Sequence, residues 1–236
     1  THGGFSGLRE SIGNYNIPYL YFLALFSYSS IRDLYLIKLL SVFFDIVLAY
    51  AGLRIVQKSG GNRITATLCF FAVLFLPTVL LNSACWGQCD SIYVSFALLG
   101  LALALPSSDR EGHPALSMIC IAVSFGFKLQ AVFIMPVWIL LWMWRKYKWY
   151  WFLLFPLTYL VLILPAVFYG RPLLDAVMLY ADQADTVGSA LNYNAPSLTA
   201  LLHNPASPES VSRILIGCTF LATFAILLAG FLCRHQ

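Results

Sequence analysis

Charge is what this 236-residue chain has least of: 10% of its residues are Asp, Glu, Lys or Arg, against 60% hydrophobic. A soluble domain carries roughly a quarter charged residues and about half apolar ones, so this chain has too little polar surface to clothe a water-soluble globule. The signatures of several enzyme classes are also missing. There is no GxxxxGKS or GxxxxGKT phosphate loop, no GxGxxG after a strand, no HExxH and no GxSxG elbow. No basic patch with interleaved aromatics occurs, which excludes a nucleic-acid partner. No internal repeat shows, and that weighs against an inverted-repeat transporter. The six cysteines form no metal-ligand spacing: Cys69, Cys120 and Cys218 lie within apolar runs and Cys233 at the end of one. Cys85 and Cys89 share a polar loop, either as a disulfide facing an oxidising compartment or as two semi-buried thiols.

What is abundant is apolar and aromatic. Mean hydropathy is +0.79, and aromatics at 16% fit residues that collect at membrane interfaces. The chain therefore reads as an all-α, polytopic transmembrane bundle. A span needs roughly 20 mostly apolar residues, and the clear candidates are 34–53, 64–81, 90–105, 149–169 and 212–232. The apolar stretch 115–144 is interrupted by FKLQ and could be one long helix or two short spans. Lys and Arg are enriched on the cytoplasmic side of a membrane. Placing Arg54, Lys58 and Arg63, Arg110, Arg145–Lys148 and Arg234 all inside requires 115–144 to go out and return, with Lys128 and Gln130 at its outer tip. Residues 82–90 and 170–208 then lie outside, the latter as a long loop with the look of a lid. The first 33 residues are also external, and YNIPYLYFLALFSYSS is expected to lie in the interface rather than span. The sequence opens on Thr1 and closes on LCRHQ just after an apolar run, so a start and an end are expected beyond it.

Against this background a few polar residues stand out. Asp45 falls near the middle of its helix, where a carboxylate costs roughly 2.5–3.5 kcal/mol on insertion scales and is a functional candidate. Its alternative is a structural contact, with Ser41 or a tyrosine as partner. Lys38, two turns earlier on the same face, can snorkel to the interface. Lys128 offers three N–H donors to an anion, or else meets lipid headgroups. In CWGQCD, Gly87 permits a tight turn that would aim Trp86, Gln88 and Asp90 into one cavity. Asp90 can also cap the helix that follows. An aromatic face beside an amide and a carboxylate suits a sugar ring. The long loop adds Arg171, Gln183 and Asn194.

Taken in order, NYNIPYLYFLALFSY, LIKLLSVFFDIVLAY, FLPTVLLNSACWGQCDSIYVSFALL, SFGFKLQAVFIMP and YADQAD…LNYNAPSL resemble the bacterial relatives of the GPI-anchor mannosyltransferases, of the GT-C class. The resemblance covers nearly the whole chain, and WGQCD and FKLQAVFIMP are its most specific parts. It implies a single GT-C-like module over 1–236, lacking the first helix and the C-terminal part, with 1–33 as the tail of the first external loop. The implied activity is inverting transfer of a hexose, mannose first, from a polyprenyl-phosphate donor to a hydroxyl of a glycan or lipid acceptor. The implied site lies on the extracytoplasmic face of a bacterial cell membrane, among membrane lipids. The acceptor-activating aspartate of that class sits early in the first external loop, so it is expected upstream of Thr1; neither Glu10 nor Asp33 matches its context. Lys128, then Arg171, are the expected partners of the departing phosphate, and Trp86, Gln88, Asp90 and Gln130 of the sugar. No cofactor is assigned; a divalent cation at Asp90 is left open because some relatives use one. The competing expectation is a transporter or flippase using Asp45 and Lys128 within the membrane.

Overall fold

The computed structural model describes residues 3–10, 15–106, 112–144, 147–186 and 208–233, with the backbone alone at 181–186, 208–209 and 212. All regular structure among the described residues is helical. In chain order the helices are α1 (Ile17–Phe26), α2 (Asp33–Lys58), α3 (Arg63–Leu74), α4 (Pro77–Leu80), α5 (Asp90–Ala104), α6 (Pro114–Phe127), α7 (Met135–Met143), α8 (Leu154–Phe168), α9 (Leu173–Thr186) and α10 (Pro208–Leu232). Three segments are long and apolar enough to cross a membrane: α2, the stretch Trp149–Phe168 that includes α8, and Arg213–Leu232 of α10. A fourth is made by Arg63–Leu74 with Pro77–Cys85, bent by 42°. This is the helical, membrane-spanning character expected from composition.

Proline and local polar groups set the boundaries. The residue before a proline is pushed out of the helical region, and Leu76, extended before Pro77, breaks the α3–α4 span. Asn62 starts α3 by accepting a hydrogen bond from the Thr65 amide at 2.8 Å. The expected break inside 115–144 falls at Lys128, which is extended (φ −155°, ψ 131°) between α6 and a 3₁₀ turn over Leu129–Ile134. No proline stands there. The carbonyl that α6 leaves open at Phe127 is taken instead by the Asn16 side-chain amide at 2.8 Å.

The chain forms two compact units, Thr1–Met135 with Lys148–Val177, and Pro136–Tyr147 with Met178–Gln236. In the first, helix interfaces are built from small residues. Asp45 apart, α2 buries Ser41, Phe44, Leu48, Ala49, Ala51 and Gly52, while Leu39, Phe43, Ile46 and Tyr50 point outward. Small residues let helix backbones approach where lipid, not water, surrounds the protein. Between α5 and α6, Ser117 Oγ donates to the Gly100 carbonyl and Ser124 Oγ to that of Tyr93, each at 2.6 Å, so the two helices run antiparallel. Between α2 and the stretch Gln88–Leu105 that contains α5, Ser41 Oγ donates to the Gln88 carbonyl at 2.8 Å, Ser91 Oγ to Asp45, and Lys58 Nζ to the Leu105 carbonyl at 2.8 Å. The separations along the chain are 47, 46 and 47 residues, so α2 and α5 run parallel in a constant register. The threading proposed from the basic loops requires that same sense for both helices.

One element differs from expectation: at 15 residues, α5 rises about 22 Å, less than the ~30 Å hydrocarbon core. α1 is too short to span, as expected, and buries Ile17, Pro18, Tyr19, Leu20 and Ala24. In the second unit, Trp144 Nε1 donates to the Gly230 carbonyl at 2.8 Å, which ties the end of α7 to the end of α10.

Candidate functional site

The polar residues of the first unit gather where the bent span ends and α5 begins. Leu81–Cys85 winds as a π-turn, and its loose ladder delivers the chain into the loop 86–89. Gly87 adopts φ +74°, a left-handed conformation that glycine accepts without strain. The amides of Trp86, Gly87 and Gln88 turn back to the carbonyls of Leu81, Ser83 and Asn82 at 3.0, 2.9 and 2.9 Å. The loop is therefore closed on itself by backbone bonds.

One stripe of α2 holds it. Lys38, Ser41 and Asp45 are spaced by three and four residues, one face of a helix. Ser41 binds the Gln88 carbonyl. Asp45 is 2% exposed and accepts from both Ser83 and Ser91, one at each side of the loop. The structural contact weighed for Asp45 is thus present, with partners from the loop rather than Ser41 or a tyrosine. A hydroxyl bonded to an ionisable group contributes about 1.5–3 kcal/mol, so this cage is a main fixture of the loop.

Asp90, at the start of α5, faces the opposite break in the fold. One of its oxygens pairs with Lys128 Nζ, and the other accepts from Asn82 Nδ2 at 3.0 Å. Lys128 also lies 5.5 Å from the centre of the Tyr93 ring. Both side chains of the pair remain about one-third exposed, at 32% and 33%. Burial pulls the Lys128 ammonium down, but the hydrogen bond and charge of Asp90, with Cys89 and Tyr93, hold its pKa above the ordinary lysine value. Burial pushes the Cys89 thiol up, partly offset by Lys128. Cys85 and Cys89 are separate thiols.

The structure joins Asp90 to Lys128 across 38 residues of sequence. Gln88 contributes a backbone carbonyl to the α2 stripe. Trp86 is 72% exposed, so its ring stands open at the surface rather than closing a cavity with Gln88 and Asp90. Gln130 is exposed on the turn after Lys128. Arg171 is buried elsewhere in the unit, its guanidinium 3.5 Å from the Glu10 carbonyl and near the Tyr21 and Tyr159 phenols. Asn194 and the side chain of Gln183 lie outside the described residues. Among those residues no group of three or more His, Cys, Asp or Glu could hold a metal.

Sequence reasoning missed Asn82, Ser83, Ser91 and Asn16, the residues that fix the loop and the α6 end. A signal was present for two of them: NSACWGQCDS carries two serines flanking the loop, and buried serines in such a segment need partners. Compared with protein-family models, with curated proteins and with solved structures, the chain matches none.

Proposed function

We propose that this chain is the membrane module of an inverting hexosyltransferase, moving mannose or a similar hexose from a polyprenyl-phosphate carrier to an acceptor hydroxyl on the extracytoplasmic face. The observation that carries this reading is the partly exposed Asp90–Lys128 pair at two chain breaks, beside a loop that presents an open tryptophan. Departure of a lipid phosphate develops negative charge, and a preset ammonium at a helix break stabilises it. The open Trp86 ring offers a face for the C–H surface of a sugar.

The geometry redistributes the roles. Asp90 has both oxygens engaged, by Lys128 and Asn82, so it positions the lysine rather than taking the acceptor's proton. The general base is assigned, through the family resemblance, to an aspartate of the first external loop. Asp45 is enclosed by Ser83 and Ser91, which suits a clamp better than the reachable coupling group a transporter needs.

The test is transfer of labelled hexose from polyprenyl-phosphate hexose by the full-length protein in detergent. Lys128→Ala is expected to lower the rate about a hundredfold, with Asp45→Asn close to wild type. Absence of transfer by the wild type from any polyprenyl-phosphate hexose, or loss in Asp45→Asn with Lys128→Ala intact, refutes the reading.

A further inference from the structure

Lys38 has no place in the scheme so far, yet it belongs to the same α2 stripe as Ser41 and Asp45. A lysine that merely snorkels lays its stem along the lipid-facing side of its helix. On α2 that side carries Leu39, Phe43 and Ile46. Lys38 instead lies over the loop: a Cβ added at Gly87 would meet Lys38 Cγ at 3.6 Å and Cε at 4.0 Å. The stem lies in ordinary van der Waals range of Gly87, so the ammonium, one bond beyond Cε, lies near this loop.

Among the described residues Lys38 forms no ion pair or hydrogen bond, whereas Lys128 is already matched by Asp90. The loop cannot receive an anion through the amides of residues 86–88, because all three are spent on carbonyls of the π-turn. An anion arriving at this loop must be met by a side chain, and Lys38 is the cation laid across it.

We propose that Lys38 is a phosphate-binding residue that holds the phosphate of a polyprenyl-phosphate lipid at the Gly87 loop. The assignment names a further substrate contact and rests on the transferase reading above. It differs from an ordinary headgroup contact in one respect. Lys38 should discriminate a terminal phosphate monoester, which offers three oxygens to the ammonium, from the diester of a bilayer phospholipid.

The experiment titrates the full-length protein in detergent with three probes: polyprenyl monophosphate, phosphatidylglycerol and inorganic phosphate, each followed by native mass spectrometry. Lys38→Met keeps the apolar stem over Gly87 and removes the charge; Lys38→Arg keeps a charge. Loss of one charge-assisted hydrogen bond predicts polyprenyl phosphate binding about tenfold weaker or more in Lys38→Met, with Lys38→Arg within about threefold of wild type. Phosphatidylglycerol binding stays unchanged. Unaltered polyprenyl phosphate binding in Lys38→Met overturns the proposal. So does an equal loss for phosphatidylglycerol, which marks a general headgroup contact, or for inorganic phosphate, which marks a free-phosphate site. If Lys38 governs polyprenyl phosphate binding but the wild type transfers no hexose, the transferase reading falls alone. If transfer occurs and Lys38→Met leaves product inhibition by the released polyprenyl monophosphate unchanged, the Lys38 assignment falls alone.

Discussion

Asp45 gives the most direct check on the site. Its carboxylate meets the hydroxyls of Ser83 and Ser91, and Ser83 Oγ lies as well 2.8 Å from the Val79 carbonyl. Ser83 has one proton for two acceptors. In Asp45→Asn the amide can donate to Ser83, whose own proton then goes to Val79, while the amide carbonyl still accepts from Ser91. Both hydroxyls stay satisfied, so the cost should be below about 1 kcal/mol. In Asp45→Ala both contacts vanish at a position 2% exposed, and two hydroxyls lose a partner. Two hydrogen bonds to an ionisable group, each worth about 1.5–3 kcal/mol, set a loss of about 3–5 kcal/mol once some relaxation is allowed. The assay is reversible unfolding in mixed micelles, followed by tryptophan fluorescence, with hexose transfer measured alongside. Equal destabilisation by the two substitutions, or none by Asp45→Ala, would refute the clamp.

Other outcomes follow from the Asp90–Lys128 pair and its neighbours. Because the Lys128 pKa is raised above 10.5, the pair's contribution is full below that value and is lost only as pH rises through the higher folded value. Competitive acylation of Lys128 should therefore titrate above 10.5 in the wild type and at a lower pH in Asp90→Asn, where burial acts unopposed by that carboxylate; an unchanged midpoint contradicts the pairing. Cys85 is exposed while burial pushes the Cys89 thiol up, so maleimide near neutral pH should modify Cys85 at least about tenfold faster. Equal rates, or no labelling until a reductant is added, would count against two separate thiols.

Much of this arrangement was legible before any coordinates. The break at Lys128 follows from where the basic loops must lie, and the shared face of Lys38 and Asp45 from helical spacing. Pairings across the chain were not legible. Asp90 finds Lys128 only because α5 and α6 run antiparallel, and Asp45 finds Ser83 only because a π-turn shifts the chain by part of a turn. The outward Trp86 could not be read either, since loop periodicity does not fix a side-chain direction. Nor could the burial of α1, whose residues are apolar on every side and so carry no stripe to orient it.

The nearly constant spacing of the links from α2 to Gln88, Ser91 and Leu105 has a mechanical consequence. Three staples in one register mean that a slip of either helix by a single turn would break all of them together, so this pair works as a fixed rail. A bulky lipid-borne guest cannot gain room by ratcheting α2 past α5.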